Sequence, residues 1–230
     1  RPRGGRAPRP DSEMQIDWDI IRESVPLLAE GAVVTLQVSA LASALGLLLG
    51  VAFGLAALSQ SRAPRMLVAA YVDFIRGTPL LIQIFLVFFA LPIIGVRFDE
   101  FWAGVLALSL NAAAFVAEVV RGGVGAVERG QTEAALAIGM RRRQILVHIL
   151  LPQAYRQMIP PLTNELISLV KNSSLLSVIS VYELTRAGQA IISVHFVPFE
   201  IYTLLALYYY VLIKALSWLS VRLERRLPAW

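Results

Sequence analysis

The stretch Glu133 to Pro152, EAALAIGMRRRQILVHILLP, decides how the rest of the chain is read. Glu133 to Ile138 is made of strong helix formers, and Gly139 can take the left-handed turn that ends such a helix. A second helical pattern follows Arg141, Arg142 and Arg143, with Ile145, Leu146, Ile149 and Leu150 on one face. Pro152 is expected to forbid its smooth continuation. Taken alone, two short helices with a basic second member could form a DNA-reading helix-turn-helix. The flanks reject that reading, because strongly apolar segments lie on both sides. The stretch is a polar interlude between membrane spans.

Working outward, Gly31 to Leu58 is 28 residues without a charge, enough for about 42 Å of helix against a hydrocarbon core of roughly 30 Å. Met66–Ile94, Phe101–Val120, Met158–Tyr182 and Ile201–Val221 are expected as four further spans. The expected fold is an all-α membrane protein of five transmembrane helices, with the Glu133–Pro152 loop between the third and fourth. Trp18 to Glu30 suits an interfacial helix. Residues 1–13 are expected as a disordered basic tail and 14–230 as one transmembrane domain; Arg1 to Pro10 alone holds four arginines, three prolines and two glycines. No cleavable signal peptide is evident, since no short apolar core follows the first positive charges.

Composition agrees with the membrane reading. Hydrophobic residues make up 57% of the chain and charged ones 16%, too apolar for an ordinary soluble domain. There is no cysteine, so disulfides and thiolate metal sites are excluded. His148 and His195 are too few and too far apart for a histidine metal centre or triad. The net charge of +5 follows topology. Eleven arginines (62, 65, 121, 129, 141, 142, 143, 156, 222, 225 and 226) fall on the side of the polar loop, against Arg97 and Arg186 opposite. The positive-inside rule therefore puts that loop and the C-terminus in the cytoplasm and the N-terminus outside.

The spacing in the opening stretch resembles the EAA loop of permease subunits of ABC importers. Glu133-Ala134-Ala135 is followed after three residues by Gly139, after nine more by Ile149, and then by Leu151-Pro152. Arg76-Gly77-Thr78-Pro79-Leu80-Leu81, Glu118 through Arg121-Gly-Gly, Gly130-Gln131, Asn164-Glu165 and Lys171-Asn172-Ser173-Ser174-Leu175 are similar to the polar amino-acid branch. The resemblance runs from about Trp18 to the C-terminus. It implies a multi-pass protein of the bacterial inner membrane that lines a translocation pathway as a homo- or heterodimer of permeases. It also implies ATP-binding cassette ATPase subunits docked on Glu133, Ala134, Ala135, Gly139, Ile149, Leu151 and Pro152, and an extracytoplasmic solute-binding protein. The chain itself would hold no cofactor, with ATP and magnesium on the partner ATPase, and would contact the lipid bilayer but no nucleic acid.

The residues agree with that division of labour. The only lysines, Lys171 and Lys214, do not follow a glycine, so no phosphate-cradling loop exists and the chain is not the ATPase. In the fourth expected span, Asn164, Glu165, Ser168, Lys171 and Asn172 share one arc of roughly 120° on a helical wheel, with hydrocarbon around the rest. Charges inside a membrane normally face a bundle interior or a watery cavity. Glu165 and Lys171 lie about 9 Å apart along the axis, at opposite edges of the arc, and each needs a partner elsewhere. They are either structural ties to other helices or part of a pathway wall for amino-acid-like zwitterions. Asn172 stands where many members of the branch carry Asp, which argues against a cationic substrate. Thr78 and Pro79 interrupt the second span, as a packing kink or a pathway hinge, with Thr78 able to satisfy a freed carbonyl. Glu118 and Arg121 suit a local ion pair, and Tyr208, Tyr209 and Tyr210 suit packing. An ion-coupled secondary transporter is the competing function, disfavoured by the lack of an inverted repeat. A membrane-anchored nucleic-acid regulator has only Arg141 to Arg143 in its favour.

Overall fold

The computed structural model describes residues 17–225, and every regular element in that range is helical. The expected tail, residues 1–13, lies outside the described residues. Helix α1 runs Trp18–Ala57, opened by Asp17, whose carboxylate accepts from the Asp19 and Ile20 amides at 3.1 Å. At 40 residues it is about 60 Å long. The expected interfacial helix and first span are therefore one continuous rod, with Pro26 tolerated inside it.

The expected second span is broken. Helix α2 (Arg62–Gly77) meets α3 (Leu80–Phe85) at 111°, and α3 continues through a π turn, Leu86–Ala90, and a 3-10 turn, Leu91–Ile94. The cause is local. Pro79 forces Thr78 into extended backbone, φ −120° and ψ 146°, and the ladder cannot cross it. The freed carbonyls are met by side chains. Thr78 Oγ1 donates to the Phe74 carbonyl at 2.8 Å, as its position in the sequence suggested. Gln83 Nε2 reaches back to the carbonyls of Ile75 and Thr78 at 2.7 and 3.0 Å, and Asn111 Nδ2 holds the Gln83 Oε1 at 2.9 Å.

Helix α4 (Glu100–Gly125) is capped by Asp99, which accepts from the Trp102 amide at 2.8 Å. It is the centre of the bundle: 72% of its most apolar window is buried, against 6% in α9 (Pro198–Arg225). The closest approach is to α1. Gly46, Gly50 and Gly54 recur every four residues and lie against Ala112, Val116 and Val120 of α4. A β-carbon at Gly50 would sit 2.8 Å from the Ala113 carbonyl oxygen and 2.6 Å from Val116 Cγ1. Such a small-residue stripe lets two backbones meet where hydrophobic driving force is absent. Val38, Ala42, Ile84, Leu108 and Leu169 close the main core around this seam.

After α4 come the short helices α5 (Arg129–Ala137) and α6 (Arg142–Ile145), then a π turn, Leu146–Leu150, leading into α7 (Leu151–Asn172). Pro152 does not break this path. The residues before it are already helical, and the loss of its amide falls directly after the π turn, where the regular ladder is interrupted. The expected fourth span, Met158–Tyr182, is also redrawn. Its α-helix stops at Asn172, a 3-10 turn covers Ser173–Ile179, and Ser180 turns left-handed at φ 69°. Helix α8 (Leu184–His195) then precedes α9, with a second left-handed residue, Phe196, between them. Among the described residues three helices, α1, α4 and α9, are long and apolar enough to cross a membrane, and the bent α2–α3 pair could make a fourth. Helix α7 falls short because it carries Gln153, Arg156, Gln157, Glu165 and Lys171 within its 22 residues.

Candidate functional site

Two features of the loop and the polar arc can be located. In the loop, Gly139 has φ 81° and ends α5 through a paired closure. Its amide donates to Leu136 O at 2.9 Å and the Met140 amide donates to Ala135 O at 3.1 Å. This is the Schellman arrangement, which needs a left-handed residue at that point. The amide of Arg141 then donates to Gln144 Oε1 at 2.9 Å, starting α6. The two arms present different faces. Ala135 is buried, while Glu133, Ala134, Gly139 and Pro152 are exposed, Ile138 is 78% exposed, and Ile149 and Leu151 are half-buried. His148 lies here too, its Nδ1 3.0 Å from the Gln144 carbonyl.

Helices α4 and α7 run antiparallel, with Met158 packed at Gly123 and Leu169 beside Ala112 and Val116. Along one side of this contact lies a cleft of about 570 Å³. Asn164, Glu165 and Ser168 form its α7 wall, together with Pro161 and Gln157 one and two turns earlier. Phe115, Glu118 and Gly122 form the α4 wall, and Arg76 enters from the last turn of α2. The expected arc is thus divided. Lys171 and Asn172 do not line the cleft, and neither do Thr78 and Pro79. The reason is level: the α4 wall ends at Phe115, opposite Ser168, and Lys171 is about one turn further along.

Charge in the cleft is uneven. Glu118 accepts from Arg121 through both oxygens at 2.8 Å and from Arg76 at 3.3 Å, so the expected local pair exists and gains a third member. Arg76 and Glu118 also border a second cavity, about 490 Å³, with Arg65, Asp73 and Arg121. Glu165 is different. It is partly buried, and among the described residues it has neither a hydrogen bond nor an ion pair. Lys171 is exposed and has no ion-pair partner among them. The cleft therefore offers an unpaired carboxylate, a guanidinium with donors to spare, and the amide and hydroxyl of Asn164 and Ser168.

A second carboxylate, Glu183, stands in the short connection before α8 and is fully buried. It caps α8 by accepting from the Thr185 and Arg186 amides at 2.9 and 2.8 Å, and Tyr209 of α9 donates to it at 2.9 Å. Thr35 of α1 accepts from the Leu184 amide at 3.1 Å and closes the knot. Tyr208 donates to the Val25 carbonyl at 3.0 Å, so two of the three tyrosines are ties between helices. The available signal was Glu183 preceding Leu-Thr-Arg, a helix start with an acid at its cap.

Residues 46–228 match the family model described as binding-protein-dependent transport system inner membrane component. The chain is 40% identical over 216 residues to the glutamine transport system permease protein of Escherichia coli (strain K12), covering 93% of this chain and 99% of that one. It is 35% identical to the arginine transport system permease protein of Bacillus subtilis (strain 168), covering 94% and 99%. Among solved structures, a crystal structure of an amino acid ABC transporter with histidines superposes with TM-score 0.87 at 37% identity, covering 93% of this chain and all of that chain. An inward-facing methionine ABC transporter superposes at 0.76 with 21% identity, a likeness of fold alone.

Proposed function

Because the chain belongs to the family of binding-protein-dependent transport system inner membrane components, we infer that it is the permease subunit of an ATP-driven importer of polar amino acids in the bacterial inner membrane. The secondary-transporter alternative finds no support among its relatives. The chain would form the pathway together with a second permease subunit. ATPase subunits, carrying ATP and magnesium, would dock on Glu133, Ala134, Ala135, Gly139, Ile149, Leu151 and Pro152, where exposed Ile138 supplies an apolar anchor. An extracytoplasmic binding protein would deliver the solute.

The observation that carries the substrate reading is the unpaired Glu165 sharing a cleft with Arg76. A zwitterion complements that pair: its ammonium faces the carboxylate and its carboxylate the guanidinium, with Asn164 and Ser168 between. Lys171 and Asn172, about one turn further along α7, lie outside the cleft and would extend the pathway beyond it, while α2, which ends at the bend of Thr78 and Pro79, carries Arg76 into the cleft. Glu165→Gln keeps shape and removes charge. It is expected to lower amino-acid uptake by roughly tenfold or more, the size of one charge-assisted hydrogen bond. Lys171→Met is expected to lower uptake as well. In both variants the complex with its ATPase should assemble and melt as wild type does. Normal uptake by an assembled, stable Glu165→Gln complex refutes the cleft assignment; a collapsed Lys171→Met complex makes that lysine a structural tie to another subunit instead.

We propose five crossings on the apolar segments, with α7 as a polar-faced span, and the arginine distribution then sets the N-terminus outside and the loop and C-terminus in the cytoplasm. The chain has no cysteine, so two single-cysteine variants test this on a clean background. Val96→Cys should react with a membrane-impermeant thiol reagent in intact cells, and His148→Cys should resist it until the membrane is opened. The reverse labelling pattern would invert the topology.

A further inference from the structure

A third cavity, about 640 Å³, lies where α1 and α4 end and the loop helices fold back beneath them. Its size is ordinary for a small-molecule pocket. Leu55, Leu58, Val124, Leu136, Leu146 and Leu150 make most of its wall, so its interior is hydrocarbon-like. Arg142 and Arg143 stand at its edge, both exposed and both without an ion-pair partner among the described residues. No acidic side chain borders it, while Ser59, Gln60 and Thr132 supply uncharged polar groups.

We propose that this cavity binds an anionic phospholipid, with the phosphate on Arg142 and Arg143 and an acyl chain along the leucine wall. The proposal rests on the preceding reading only in taking the ends of α1 and α4 as the membrane surface. Charge complementarity selects the occupant. A soluble anion would leave the apolar wall wet, and a zwitterionic lipid would leave two arginines without a matching net charge. An anionic amphiphile satisfies both, and a basic pocket where spans leave the membrane is a recognised setting for such head groups. The same geometry gives the lipid a consequence for coupling. It would fill the space between α1 and the helices that carry Gly139, so its presence would hold α5 and α6 at a defined height below the span.

The test uses the detergent-purified permease with its ATPase, washed and then titrated at matched concentrations with phosphatidylglycerol, phosphatidylcholine or inorganic phosphate. Native mass spectrometry reads retained lipid and a melting curve reads protection. Phosphatidylglycerol should be retained and raise the melting temperature; the other two probes should do neither. The double variant Arg142→Gln with Arg143→Gln should weaken retention by roughly thirtyfold, the loss expected for two cationic contacts near an anionic head group. Leu55→Trp, which narrows the groove and leaves both arginines in place, should also expel the lipid. Undiminished retention in both variants overturns the proposal, as does equal retention of phosphatidylcholine. Protection by inorganic phosphate alone would make this an anion site without a lipid. If the double variant keeps its lipid and sheds the ATPase, the arginines serve that partner and the proposal falls. Retention is read without uptake, so this experiment can fail while the transport reading stands.

Discussion

Gly50→Val is expected to leave almost no correctly assembled protein. Gly50 sits midway along the seam between α1 and α4, the two helices on which the rest of the bundle is built. A β-carbon there meets Val116 Cγ1 at 2.6 Å and a backbone oxygen, Ala113 O, at 2.8 Å. Neither can move away cheaply. Val116 is buried at 4% exposure, and the carbonyl belongs to the central helix. Overpacking a well-filled interior typically costs about 1 to 3 kcal/mol, occasionally more. Two rigid helices that must separate along their length belong at or beyond the upper end. Forcing the seam open would also disturb Gly46 and Gly54, each with a would-be contact of 2.8 Å or less. Gly125→Ala is the matched control, since its added carbon meets nothing within 4 Å. The measurement is the yield of monodisperse protein in detergent and its melting temperature. A Gly50→Val protein that behaves like Gly125→Ala would show that α1 and α4 do not pack as described.

Gly139→Val is expected to abolish transport while sparing insertion. Here the space is open, with no atom within 4 Å of an added β-carbon, so no clash is involved. The penalty lies in the backbone. At φ 81° an L-residue pays roughly 1 to 2 kcal/mol, and a β-branched one is the worst case. Release of that strain would undo the Gly139 and Met140 hydrogen bonds that close α5, and with them the angle between α5 and α6. Because both helices lie outside the α1–α4 core, the spans should still assemble. Three substitutions separate this cause from a general defect. Asn, which tolerates the left-handed region, should retain most uptake; Ala should fall between; Val should have none and should lose the ATPase on co-purification. Full uptake by Gly139→Val at normal expression would remove the coupling role from this loop.

These two glycines differ in how readily they can be read from sequence. Gly139 follows a run of helix formers and precedes a basic turn, so its role as a helix terminator is a matter of a few neighbouring residues. Gly46, Gly50 and Gly54 are equally visible as a stripe, but nothing in α1 says which helix lies against them. The bend at Thr78 and Pro79 is half-legible in the same sense. Proline and the residue before it forbid a continuous helix, whereas the 111° angle depends on Gln83 reaching back and Asn111 holding it from α4. Pro152 is half-legible too. A proline bars a regular helix, and a π turn stands directly before it, yet the helical path continues into α7.

What the sequence by itself determined was everything that a segment decides alone: apolar length, the distribution of arginines, the absence of cysteine and of a nucleotide-binding loop, and the fixed spacings that place the chain in its family. Only the tertiary structure decided which polar residues act together. Asn164, Glu165 and Ser168 meet Arg76 and Glu118 in one cleft, and Lys171 and Asn172 fall outside it, although a helical wheel puts these five residues of α7 on one arc. Glu183, an unremarkable acid in a short connection, becomes the buried tie between α8 and α9. The physical reason is that a wheel reports direction about one axis, whereas burial and pairing depend on the height and identity of the helix opposite. Those are set by contacts across distances in sequence, such as 28 residues from Gln83 to Asn111 and 42 from Arg76 to Glu118, that no local pattern encodes.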